Sequence, residues 1–223
     1  MRTKHDLTCI WNEPHLSTPP NRPQDRVPFQ YLISAAHWRE FVLAVGPGVL
    51  VPRPETEQMI DMAAAAIDAD PRLAAAPWAD LGTGSGALAV GLGALLRARR
   101  TPRAGEQRRV GEGAQDVEPA VWAVDFSPVA AAYAGANAAA AAPPGAVRVV
   151  TGSWWAPLAA LRGQLGGVLT NPPYIPRVQM EALQQEVGLH EPHSALDGGP
   201  GPGLDSIQVR VEAAHGGGRA RVG

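Results

Sequence analysis

The sequence predicts an α/β protein built on a doubly wound, mostly parallel sheet. Short apolar runs read as buried strands: WADL (78–81), AVWAVD (120–125), AVRVVTG (146–152) and GGVLTNPPY (166–174). Helical stretches alternate with them, and such alternation implies parallel βαβ units. The first two runs carry an acid at their carboxyl end, and a glycine-rich loop follows the first, where open α/β sheets bind ligands.

Residues 1–27 are polar and proline-rich without periodicity, and read as an irregular tail. Residues 28–53 read as a hairpin and linker. In that segment FVLAV (41–45) and GVLV (48–51) are apolar runs separated by Gly46, Pro47 and Gly48, which is turn chemistry. The main domain is expected over 54–223. Pro54 suits a first helical position, and Glu55 and Glu57 sit in the first turn, where the helix dipole favours anions. Met59, Ile60, Ala63, Ala64 and Ile67 then form a helical stripe.

ALAVGLGALL (87–96) reads as a buried helix weakened by Gly91 and Gly93. Residues 97–118 are polar and low in complexity and read as a surface insertion. SPVAAAYAGANAAAAA (127–142) reads as a helix with Ser127 as N-cap and Pro128 at its first position. After Tyr174 there are 49 residues with no convincing further strand, so the sheet is expected to be incomplete after about residue 205. The fourth strand would then be a bare apolar edge.

Composition narrows the function. Formal net charge is -2, which gives no basic footprint for nucleic acid. Cys9 is the only cysteine, so an intramolecular disulfide and a cysteine-based metal cluster are excluded, and a reducing compartment suits the chain. No apolar run could span a bilayer, and no targeting segment is visible. His190 and His193 lie three apart with Pro192 between them and no further ligands nearby. They are read as structural, and no metal site is expected.

The chemistry concentrates at two places. In Asp80-Leu-Gly82-Thr83-Gly84-Ser85-Gly86 the alternate glycines let the backbone turn sharply and approach a ligand. The stretch Gly82-x-Gly84-x-x-Ala87 formally matches a dinucleotide fingerprint, but Asp80 just before it suits a ligand ammonium better than a pyrophosphate. Asp125 ends the second strand, a position that commonly binds ribose hydroxyls. Asn171-Pro172-Pro173-Tyr174 ends the fourth strand, which should lie beside the first. The prolines stiffen that loop and leave carbonyl oxygens free as acceptors; the Asn171 side chain adds another, and Tyr174 a flat ring. Acceptors in one plane with a ring over them would fit a planar NH₂ group.

DLGTGSG, the acid ending strand two, and NPPY together resemble a class I S-adenosyl-L-methionine (SAM)-dependent methyltransferase with a Rossmann-like sheet, acting on a planar nitrogen. RVPFQYL (26–32), GVLVPRPETE (48–57) and HEPHSALDGGPGPGLD (190–205) are similar to segments of the HemK-type glutamine N5-methyltransferases. The resemblance implies transfer of a methyl group to the glutamine of the GGQ motif in peptide-chain release factors. It further implies that Gly82 to Gly86 wrap the methionine end of SAM, that Asp125 binds the ribose, and that Trp154 sits by the adenine. Asn171 to Tyr174 would hold the glutamine amide, Asn171 would also touch the cofactor, and Arg53 and Glu55 would approach the same site. Ser153 stands where the family has an acid, and relative to the family the chain looks truncated at both ends.

The implied partner is a release factor, with no direct nucleic acid and no membrane. The implied setting is intracellular, in the cytoplasm or, in a eukaryote, in a mitochondrion or chloroplast. The rival readings are an adenine-N6 nucleic-acid methyltransferase, which shares the (D/N)PPY tetrapeptide; a non-catalytic remnant; and, more remotely, an NAD-dependent dehydrogenase.

Overall fold

A computed structural model describes residues 26–100 and 120–203. Nearly all of the expected tail, most of the expected insertion, and the stretch after 205 lie outside the described residues.

The chain begins with a short helix α1 (Phe29–Ile33), then a hairpin of β1 (Ala35–Trp38) and β2 (Phe41–Ala44). Here the sequence-based pairing is corrected. FVLAV pairs with AAHW before it, not with GVLV after it; Trp38 faces Phe41 and Ala36 faces Leu43. The reversal falls at Arg39 and Glu40, with Arg39 at φ 50°. Ala and His have weak strand propensity, which hid β1. Burial selects it: Trp38 and Leu43 are fully buried, and the Trp38 indole N–H donates to the Arg53 carbonyl and the Thr56 hydroxyl. Gly46 to Gly48 still turn the chain. Val49 and Val51 pack inward, and the Tyr31 hydroxyl donates to the Val49 carbonyl at 2.6 Å.

Pro54 opens a 3₁₀ turn (Pro54–Thr56) that leads into α2 (Glu57–Ala69), whose Ile60, Ala63 and Ile67 are buried as the stripe predicts. A one-turn helix α3 (Arg72–Ala75) precedes β3 (Trp78–Leu81). Helix α4 (Ala87–Arg99) runs through Arg97 and Arg99. Residues 97–99, expected in the insertion, are therefore helical; Leu96, fully buried, and the Arg99–Asp68 pair at 2.8 Å hold the last turn. Then come β4 (Val121–Asp125), α5 (Pro128–Ala141), β5 (Val147–Thr151), β6 (Gly167–Leu169) and α6 (Gln185–His190). The Ser127 hydroxyl caps α5 by accepting from the Ala130 N–H.

The strands β5-β4-β3-β6 form one sheet in that order, every pair parallel. The chain steps outward from β3 to β5 and then returns to the other side of β3. That reversal places the switch point between β3 and β6, where such sheets open a crevice at their carboxyl ends. The main core lies where α2 and α4 meet the sheet, around Leu88, Val90, Leu92, Leu96 and Trp78. Burying each of the larger side chains contributes about 2 kcal/mol. A second cluster joins the hairpin to α5 through Tyr31, Val45, Val49 and Tyr133. Buried Asn137 ties these parts to the glycine loop. It accepts from the Ala44 N–H and donates to the carbonyls of Ala44 and Ser85.

Candidate active site

The glycine loop leaves β3 with Gly82, Gly84 and Gly86 all left-handed, at φ 73°, 56° and 83°. Gly86 shows the strictest need. A Cβ there would stand 3.0 Å from the Ala134 backbone of α5, so only glycine lets α4 start this close to its neighbour. The N–H groups of Gly82 and Thr83 both donate to the Val124 carbonyl, which fixes the loop over the end of β4.

Asp125 closes β4. Its carboxylate accepts from the Gly84 N–H and the Ser127 N–H, both at 2.9 Å. Each oxygen keeps lone-pair capacity for a further donor. Burial pushes its pKa up, and the backbone N–H groups pull the other way. Asp80 is different. It is fully buried, it accepts from the Thr83 hydroxyl at 2.6 Å, and its Oδ1 has no hydrogen-bond partner. Burial, aided by the charge of Asp125 and opposed by Thr83, pushes its pKa up to about 7.

Two clefts open at the switch point. The first runs over Gly82 and Gly84, past Asp125 and Phe126, to Ser153 and Trp154. Phe126 is largely exposed there, and Trp154 is held at φ 47°. The second is walled by Arg53, Tyr174, Ile175, Leu183 and Val187. Asn171, Pro172, Leu50 and Ala195 line both. The tip of β6 is thus the partition between two clefts. Thr170 anchors it by donating to the Leu81 carbonyl at 2.6 Å, and Ile175 is bridged to Leu196 and Gly198.

Of the residues singled out from the sequence, Gly82, Gly84, Asp125, Trp154, Asn171, Pro172 and Pro173 line the first cleft. Arg53 and Tyr174 join Asn171 and Pro172 at the second. Asp80, Thr83, Ser85 and Gly86 are buried and line neither cleft. Glu55 is exposed and lines neither. Arg53 is engaged: its Nη2 donates to Glu191 at 2.8 Å. His193 Nε2 lies 2.8 Å from the Gly188 carbonyl, a contact internal to its own segment. Among the described residues, no group of three or more His, Cys, Asp or Glu is placed to hold a metal ion.

Sequence reasoning missed Leu50, Phe126, Ala195 and the buried carboxylate of Glu191. Leu50, Ala195 and Glu191 lie in the GVLVPRPETE and HEPHSAL segments, so their signal was that two remote stretches carried the same resemblance. Phe126 follows directly on Asp125, and its adjacency to a ligand-facing acid was the available cue.

Four parallel strands in this order, a glycine loop after β3, an acid ending β4 and NPPY ending β6 define a class I methyltransferase-type, Rossmann-like domain. The comparisons specify it further and bear out the HemK-type resemblance. The chain is 42% identical over 193 residues to the release factor glutamine methyltransferase of Thermosynechococcus vestitus, covering 86% of this chain and 58% of that protein. It is 42% identical over 213 residues to that of Gloeobacter violaceus, covering 95% and 63%. Against the Mycobacterium tuberculosis protein of the same name it is 39% identical over 192 residues. The chain therefore spans about 58% to 63% of the length of the first two relatives. No protein-family model matches it.

Proposed function

We propose that this chain transfers a methyl group from SAM to the side-chain amide nitrogen, N5, of the glutamine in the GGQ motif of peptide-chain release factors. The observation that carries this reading is the shared partition: Asn171 and Pro172 face the cleft over the glycine loop and Asp125 on one side and a second cleft on the other. A residue pair that touches both clefts can align a nucleophile in one with a methyl group in the other.

The first cleft fits SAM. Left-handed Gly82 and Gly84 leave an open backbone edge for the methionine end, and no atom lies within 4 Å of a Cβ built at Gly84. The Asp125 carboxylate has acceptor capacity left for the ribose hydroxyls. Phe126 and Trp154 offer flat apolar surface for the adenine. Asp80, Thr83, Ser85 and Gly86 serve by shaping the loop rather than by contact. When bound, SAM supplies an electrophilic methyl group whose C–S bond electrons leave with sulfur.

The chain's own residues do the rest. An amide nitrogen is a poor nucleophile because its lone pair is delocalised into the carbonyl. The Asn171 side-chain oxygen and the Pro172 carbonyl accept from the two N–H groups, enrich the nitrogen and aim it at the methyl group. Tyr174 lies against the amide plane and Arg53 borders the entry. Fixed acceptors and alignment account for the acceleration. The nitrogen gains the methyl carbon and releases one proton to solvent; no side chain is assigned as base.

The partner follows from the reaction: a release factor, presenting its loop to the second cleft, at the place where translation terminates, in the cytoplasm or an organelle. No helix among the described residues is long and apolar enough to cross a membrane. Calorimetric titration with SAM, beside an Asp125→Ala control, tests the donor site: saturable binding that the control loses is expected. Methyl transfer to a release factor then tests the acceptor. A folded chain that binds SAM but methylates no glutamine contradicts the reading.

A further inference from the structure

We propose that the Glu191–Arg53 ion pair is the positioning device of this site: it clamps the two loops that wall both clefts and so holds Asn171 and Pro172 in register with their ligands. This rests on the methyltransferase reading above. Glu191 lines neither cleft and acts through its neighbours.

The Glu191 side chain is only 2% exposed. Its Oε1 accepts from Arg53 Nη2 at 2.8 Å, and its Oε2 from the Val51 N–H at 3.3 Å. One carboxylate therefore grips the 49–53 segment at two points. Leu50, inside that segment, lines both clefts. On the other side Glu191 opens the stretch that supplies Pro192 and Ser194 to the first cleft, Leu196 to the second, and Ala195 to both. That same stretch holds the NPPY loop: the Ile175 N–H donates to the Leu196 carbonyl at 3.0 Å, and the Gly198 N–H donates back to the Ile175 carbonyl at 2.8 Å. The chain of contacts runs from Val51 and Arg53 through Glu191 to Ile175, next to Tyr174.

A buried ion pair is a poor source of net stability, because desolvation of two charges offsets their attraction. Its value here is geometric. It couples two segments far apart in sequence at the point where both clefts meet.

The test compares the wild-type chain with Glu191→Gln, Arg53→Ala, Glu191→Ala and the Arg53→Ala/Glu191→Ala double variant. Each is assayed for SAM affinity, for kcat and KM with a release factor, and for hydrogen exchange at the Ile175 amide. Glu191→Gln is expected to lower kcat about 10- to 100-fold, the size of effect that small misalignments produce. SAM affinity should fall less than kcat, because the glycine loop and Asp125 stay in place while the clamped loops supply only part of the first cleft, and Ile175 should exchange faster. The double variant should lose no more than the worse single variant, as expected for partners in one interaction. Wild-type kcat in Glu191→Gln, independent multiplication of the two alanine effects, or lowered thermal stability with kcat unchanged would each overturn the proposal. Should wild type bind SAM yet methylate no glutamine, the functional reading fails by itself. The exchange rate at Ile175 still decides the clamp: equal rates in wild type and Glu191→Gln refute it.

Discussion

The two clefts are built in opposite ways. The first is made largely of residues on strand ends, the glycine loop after β3, Asp125 and Phe126 after β4, Ser153 and Trp154 after β5, with Leu50, Pro192, Ser194 and Ala195 added from remote loops. Backbone bonds from Gly82 and Thr83 to Val124, and from Gly152 to the Asp125 carbonyl, lock those strand ends to one another. The second cleft is assembled from remote loops, with Arg53, Tyr174, Val187 and Leu196 brought together by side-chain bonds and a few turns. A cofactor common to many reactions suits a cradle dictated by the sheet. A protein substrate suits a wall made of loops, which tolerate variation and movement.

The largest expected break falls at the partition. Asn171→Ala should lower kcat for glutamine methylation by about a thousandfold, as loss of a fixed dipole at a reacting group does. Calorimetric SAM affinity should fall far less than kcat, because the glycine loop and Asp125 remain in place, which separates partition from cradle.

Next comes the buried acid under the cradle. Asp80 has its pKa raised from 3.8 to about 7 by burial, so the folded state favours its protonated form. That contribution is complete below about pH 4 and is lost as pH rises through 7. Asp80→Asn should flatten this slope and raise stability at pH 8 by up to about 4 kcal/mol, read by urea denaturation across pH.

Gly86→Ala should follow, destabilising by about 3 kcal/mol, through left-handed strain and overpacking on Ala134. Thermal unfolding with SAM titration would show the cradle failing before the second cleft.

Smallest is Ser127→Ala, which removes the α5 cap seen at Ala130 and should cost about 1 kcal/mol in denaturant unfolding.

The same contrast explains what could be read in the sequence. Strands β3 to β6, the three glycines and the Ser127 cap are local signals: apolar runs, turn residues and a hydroxyl before a proline. Each was legible because its cause lies within a few residues. The hairpin was misread because the strand AAHW is set by burial of Trp38 against Leu43 and α2, not by propensity. Glu191 was legible only through the resemblance of its segment, and its role was not, because its two partners lie 138 and 140 positions away. Asp80 was expected to meet a ligand ammonium; inside β3 its Oδ2 accepts from Thr83 and its Oδ1 has no hydrogen-bond partner. The sequence motif identified the loop, and only the packing located that side chain.

The most direct measurement is tandem mass spectrometry of a release factor incubated with SAM and either wild type or Asn171→Ala. The account predicts a single methyl group on the amide nitrogen of the GGQ glutamine with wild type, and none above background with the variant. Methylation elsewhere on the release factor, or equal modification by the variant, would contradict it.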